Sequence, residues 1–372
     1  MNPEDDVLRA AILKEADHIM KCVLPGGSIN MVPPDTMSQG AYIIPYFAVH
    51  AALGLDTAAL LESAKAKSYI AASEKFYQWY TQHMNADGSI YDFTGGTCQN
   101  PASSGKADSV DSYAAIFVWG VYIHYTTLQK ISPTTATAFL NSMKPYCLKA
   151  INAWVSLQQA DGLTIPLKTY PMEYLMNNLE VYRGFNVGNI LGLFDGSPSM
   201  SKMISTINGK FWVPDGYFAW ARDPANGALS QGWSKWYPDK MANAWAAWSS
   251  FLDPTKRAAV YAKIKADFPD GPTAWGVAGT DLVYLAISAL GQNDRAQALV
   301  YLNEMLTHER AEGGFFTPPY YYFGYISGWF IAACTMYINN NLTPLDTGGF
   351  DYRILAVLLI VVLFLFLLSR GL

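Results

Sequence analysis

Apolar residues recur along this chain at the three-to-four spacing of helices, and the strict alternation of strands is scarce. The periodicity predicts helices over 5–24, 43–55, 57–84, 109–129, 133–159, 174–193, 200–211, 239–251, 254–268, 279–290, 294–308 and 323–338. Two kinds alternate. The odd-numbered ones are amphipathic, whereas the even-numbered ones are apolar nearly all round, as a helix covered on every side must be. Amphipathic helices stop at Pro25-Gly26-Gly27, Asp87-Gly88, Asp161-Gly162, Asp215-Gly216, Asp270-Gly271 and the variant Glu312-Gly313-Gly314. An aromatic loop follows each stop and leads into the next apolar helix. That unit recurs six times, which makes the chain an internal repeat.

Twelve helices in six hairpins, with the apolar member of each inside, describe an all-α fold: an (α/α)6 toroid over residues 1–338. Every loop from an outer to an inner helix then emerges at one end, so six inner N-termini line one funnel. Residues 339–353, rich in Asn, Thr, Pro and Gly, read as a linker. Residues 354–369 read as a transmembrane anchor, and 370–372 as a short tail. No polar side chain occurs over 354–368, and Arg353 and Arg370 frame the run. As a helix it spans roughly 24 Å, short of a ~30 Å hydrocarbon core, and Tyr352 and the arginines can snorkel over the difference. The expectation is a single-pass C-terminal anchor in a lipid bilayer. One arginine at each end leaves its orientation open, and the acidic N-terminus lacks the basic and apolar regions of a secretory signal.

Only 15% of the 372 residues are charged, well under the roughly 25% of an average globular protein. Net charge is −5 without a basic block, which argues against nucleic acid as a partner. Cys22, Cys98, Cys147 and Cys334 lack CxxC spacing, and the five histidines lack ligand spacing, so no metal site is expected. His50 and His124 fall within apolar inner helices and read as satisfied core residues. With 11 Trp, 24 Tyr and 18 Phe, the chain carries enough flat, half-polar rings to stack a ligand as well as fill a core.

Three segments carry a resemblance. Ser38-Gln39-Gly40-Ala41-Tyr42 looks like the acidic-Gly-x-Gly-Tyr motif of the first hairpin in glycoside hydrolase family 8. Ala107-Asp108-Ser109-Val110-Asp111 looks like that family's aspartate motif opening an inner helix. The stretch from Met176 to Gly184 looks like an Asn-x-Glu-Val-Tyr-x-Gly motif of other six-hairpin proteins. The chain therefore resembles the six-hairpin glycosidase superfamily over roughly residues 7–340. It departs from family 8 in two respects. Gln39 stands where that family keeps a glutamate, and the two aspartates are spaced i,i+3 rather than i,i+2.

The resemblance implies carbohydrate cleavage without a cofactor, by one acid and one carboxylate that serves as base or nucleophile. Acids at the inner N-termini are the candidates. Asp111 and Glu180 are expected to be catalytic, Glu180 because its apolar stretch would desolvate it and suit it to acid work. Asp108 suits an N-cap and, with Tyr42, Tyr46, Asp92, Tyr182, Arg183, Trp236, Trp275, Asp281 and Tyr321, is expected to hold the sugar. Arg183, at i+3 from Glu180, also suits an ion pair with it. A toroid that binds carbohydrate without cleaving it stays open, with Gln39 as the trace of a lost acid. A polysaccharide lyase would need a positive group such as Arg183 against a uronate. A terpenoid-type cyclase would match Asp108-x-x-Asp111, although that family's Asp-Asp pair is absent from this motif.

Overall fold

The computed structural model describes residues 3–36, 40–270, 280–315 and 323–339. Twelve α-helices lie among them: α1 (Pro3–Cys22), α2 (Pro45–Ala59), α3 (Ser63–His83), α4 (Val110–Ile131), α5 (Pro133–Val155), α6 (Leu175–Ile190), α7 (Ser197–Thr206), α8 (Met241–Trp248), α9 (Pro254–Asp267), α10 (Thr280–Gly291), α11 (Arg295–Leu306) and α12 (Gly324–Asn339). Several start where the sequence provides for it. Proline opens α2, α5 and α9, where its missing N–H costs nothing. The Asp253 carboxylate accepts from the N–H groups of Thr255 and Lys256 at 2.8 and 3.2 Å and caps α9.

The even-numbered helices form a closed inner ring. Each packs on the next, α2 on α4 and so on to α12, which returns to α2. The odd-numbered helices pack outside, and α1 lies on α12 and α2 to close the seam. The inner helices are buried on every face: α2, α8 and α12 leave little more than their ends exposed. At the α2–α12 crossing the backbones touch. A Cβ added to Gly328 would lie 2.1 Å from the His50 carbonyl oxygen, so only glycine fits there. Trp119, Trp245 and Trp329 fill the axis, with ring centroids 5.5 to 6.1 Å apart, and His50 lies 4.8 Å from Trp329. The ring is therefore plugged beneath its mouth.

The acidic-glycine stops are one turn used repeatedly. Gly27, Gly88, Gly162, Gly216 and Gly313 all have φ between 81° and 95°, the left-handed region that glycine adopts without strain. In each, the glycine N–H donates to the carbonyl three residues back, at 2.9 to 3.1 Å. The turn throws the chain across the mouth end of the toroid before it re-enters as an inner helix. The mouth loops also contain two-residue strands that helical periodicity does not forecast. Ala221–Arg222 pairs antiparallel with both Glu173–Tyr174 and Leu229–Ser230. Helix α7 ends at Thr206 in a widened turn, Ile207–Phe211, and α8 spans only Met241–Trp248, shorter than the 239–251 its periodicity predicts.

At the opposite end, the C-terminal parts of α2, α4 and α12 surround a hollow of about 830 Å³ lined by threonines, Leu60, Leu61, Ile131 and Lys130. It is larger than the cavities at the mouth, but no carboxylate or histidine lines it. The expected linker and anchor, 340–372, lie outside the described residues. Among the described residues no helix is long and apolar enough to cross a membrane.

Candidate active site

Two cavities open at the mouth, formed by the first turns of the inner helices. The inner one, about 160 Å³, is lined by Tyr46 and Phe47 of α2, Ser112 and Tyr113 of α4, Glu180 of α6, Met241 of α8 and Tyr284 of α10, with Asp108 at its edge. The outer one, about 330 Å³, is lined by Tyr170, Tyr174, Trp220, Tyr237, Pro166 and Pro238 among others. Asp108, Ser109, Met176, Asn177 and Tyr237 line both, so the two form one cleft.

Glu180 is 1% exposed and faces the inner compartment. The Tyr46 hydroxyl donates to its Oε1 at 2.5 Å, and the Ser112 hydroxyl donates to its Oε2. Burial pushes its carboxyl up to about 8, against the opposing influence of the Tyr46 hydrogen bond and the Arg183 charge. At neutral pH it therefore holds a proton. Tyr46 is itself fixed edge-on to His50, with centroids 4.7 Å apart, and stacked on Tyr113 at 5.7 Å.

The aspartates of the second motif occupy other roles than their spacing suggests. Ser109, not Asp108, is the N-cap residue of α4, and Asp108 lies one residue outside the helix, exposed in the cleft. Asp111 is fully buried, and four donors surround its carboxylate. They are the Ser109 hydroxyl at 2.6 Å, the Ser112 N–H at 2.8 Å, the Thr164 hydroxyl at 2.7 Å and the Asn177 amide at 3.2 Å. A catalyst must reach substrate; Asp111 instead ties α4, α6 and the loop between α5 and α6 together. Asp111, expected as a catalyst, lines neither compartment of the cleft. It positions Ser112, which in turn holds Glu180.

Asp92 is half-buried on the loop before α4, where the Tyr113 hydroxyl donates to it at 3.0 Å. Burial raises its carboxyl to about 6, the Tyr113 hydrogen bond opposes that, and the nearby Asp108 charge adds to it. Its backbone N–H donates to the Lys106 carbonyl at 2.8 Å, which keeps it beside the Asp108 segment.

Other expected ligand residues are placed elsewhere. Tyr182 stacks on Phe251, centroids 3.7 Å apart, beyond the C-terminal end of α8. Arg183 is fully buried with its guanidinium 3.8 Å above the Trp248 ring, donating to the Leu179 carbonyl and the Ser249 hydroxyl. Both therefore belong to the packing between α6 and the far end of α8, and among the described residues no Lys or Arg lines the cleft. Trp236 packs edge-on against Phe268 at 5.8 Å, and its neighbour Tyr237 faces the cleft instead. Tyr42 is pinned by its backbone, its N–H donating to Asn30 at 2.6 Å, and lines neither compartment. Asp281 stands in the first turn of α10, its side chain outside the described residues, as are Gln39, Trp275 and Tyr321.

No protein-family model matches the chain, and no curated protein matches it. Solved structures do. A structure titled as a wild-type glycosidase aligns with a TM-score of 0.58 at 12% identity, over 93% of this chain and 100% of that one. A D-mannose isomerase aligns at 0.65 and 12%, covering 91% and 99%. An unsaturated glucuronyl hydrolase specific for heparin aligns at 0.58 and 11%, covering 92% and 100%. The toroid is the fold of solved glycosidases.

The structure adds residues that the sequence did not single out. Tyr170, Tyr174 and Trp220 form a ladder of near-parallel rings along the outer compartment, 6.2 and 6.0 Å apart and inclined by 29° and 19°. The strand pairing of Tyr174 with Ala221 holds it, together with the Leu175 N–H donated to the Trp220 carbonyl at 2.9 Å. Beneath, Arg222 bridges the buried Glu173 at 2.5 Å and Asp161 at 2.6 Å. Ring contacts between loops some fifty residues apart leave no local signal; the only hint was the density of aromatics.

Of the remaining polar core, His124 Nδ1 lies 2.7 Å from Asp56, both fully buried, while its Nε2 has no hydrogen-bond partner, so the expected satisfied histidine is paired at one nitrogen only. His50 differs, since burial drives its pKa down to about 3 and neither ring nitrogen has a hydrogen-bond partner. It acts as a neutral aromatic wedge under Tyr46.

Proposed function

We propose that this protein is a glycoside hydrolase that works in the mouth cleft, with Glu180 as general acid and Asp108 as the second carboxylate. The observation that carries the reading is Glu180. A carboxyl group that burial keeps protonated at neutral pH faces a cavity that an exposed carboxylate, Asp108, also lines. The fold shared with solved glycosidases supports it.

In this scheme Glu180 gives its proton to the glycosidic oxygen as the bond to the anomeric carbon breaks. Asp108 either takes a proton from the attacking water or attacks the anomeric carbon itself. Asn177, which lines both compartments, holds a sugar hydroxyl. Residues 354–369 anchor the toroid to a bilayer through the 339–353 linker.

The test is incubation with neutral oligosaccharides and an assay of new reducing ends. Release by the wild type, with loss in both Glu180→Gln and Asp108→Asn, is the expected result. Binding without release by the wild type would overturn the hydrolase and leave a carbohydrate-binding toroid.

A further inference from the structure

We propose that the cleft accepts a neutral glycan across both compartments, the scissile bond lying at their junction and the outer sugar stacking on the Trp220–Tyr174 wall. The proposal rests on the hydrolase reading and adds the substrate class and the residues that select it. Three observations support it.

The first is connectivity. Glu180 faces only the inner compartment and Trp220 only the outer, while Asp108 and Asn177 line both. A bond protonated by Glu180 within reach of Asp108 therefore has one sugar on the aromatic side. The second is the wall itself. Rings inclined by 19° and 29° present a nearly flat apolar surface, suited to the C–H face of a pyranose, with the Asn177 amide and Asp108 carboxylate placed for its hydroxyls. The Arg222 bridge to Glu173 and Asp161 holds that wall in place before a ligand arrives.

The third is charge. The lining residues of both compartments include two carboxyl groups and no Lys, Arg or His. Residues 37–39, 271–279 and 316–322, which lie outside the described residues, contain no charged residue or histidine. The nearest cation on α6, Arg183, is held over Trp248. A uronate carboxylate entering here would meet the Asp108 charge with no Lys, Arg or His among the described lining residues to offset it, a repulsion that neutral sugars avoid.

The experiment uses maltose, cellobiose and xylobiose against digalacturonic acid, on the full chain. Binding is read by calorimetry with Glu180→Gln, and cleavage by product analysis with the wild type. At least one neutral disaccharide is expected to bind at least ten-fold more tightly than digalacturonic acid. Trp220→Ala is expected to raise KM for that disaccharide about ten-fold with kcat within two-fold, and Trp220→Phe to restore most of the loss. Preference for digalacturonic acid, no binding of any probe, or an unchanged KM in Trp220→Ala overturns the proposal. Neutral binding with no cleavage by the wild type removes the hydrolase reading and keeps the subsite.

Discussion

Glu180 near the start of α6 and Glu15 within α1 undergo the same physics and serve different ends. Burial raises each carboxyl to about 8. Glu15 accepts from the Gly314 N–H at 2.7 Å and the Ser327 hydroxyl at 2.5 Å, beside Glu309, which pairs with Lys14 at 2.6 Å. It fastens α1 to α12 and the loop before it, where the ring closes, and no described cavity reaches it. Glu180 accepts from two hydroxyls instead, and one side of it faces the cleft. A shifted pKa alone therefore does not mark a site here, nor does a neighbouring carboxylate; access to a cavity distinguishes the two.

Substitution separates them most sharply. Glu180→Gln is expected to lower kcat/KM by about 10²–10⁴-fold, the usual worth of a general acid, while its melting temperature stays within a few degrees of wild type. A variant retaining more than a tenth of the activity would remove Glu180 from the chemistry. Glu15→Ala should reverse the pattern, costing about 2–3 kcal/mol in denaturant unfolding through two donors left without their acceptor. Its Km for substrate should not move.

Titration gives the next largest effect. Each glutamate binds its proton more tightly in the fold than in the unfolded chain, where it would ionise near 4.5. Their contribution to stability is complete below about pH 4.5, declines as pH rises toward 8 and is flat above it. Either Gln substitution should make that decline shallower, as urea midpoints across pH would show. Activity should instead have an alkaline limb near pH 8 that follows Glu180 alone, and an unchanged limb in Glu15→Gln checks this. Tyr46→Phe is the mildest change. Without the hydroxyl that favours its ionised form, Glu180 should hold its proton to higher pH, and the limb in kcat/KM should move up by less than about one unit.

The toroid was legible because its signals repeat. Five glycines in the same left-handed turn follow five outer helices, and apolar-all-round segments follow each. The burial of Glu180 was legible too, since Leu179, Val181 and Phe185 around it announce it. The aspartate roles turned on a single residue. With the cap at Ser109 rather than Asp108, the carboxylate assigned to capping stands free in the cleft, and the one assigned to chemistry is enclosed. Arg183 lies one turn beyond Glu180, and that turn carries it from the mouth into the plugged axis beside Trp248. Trp220 and Tyr174 came together only through a two-residue strand pairing, for which neither segment has a periodicity to read.

Ring closure also sets a direction. Because α1 runs toward the mouth and α12 away from it, Pro3 and Asn339 both lie on the floor of the molecule, with Glu4 close enough to Tyr337 to influence its titration. A tether leaving from Asn339 would hold the toroid like a cup on a stem, its opening turned outward from the surface that carries it.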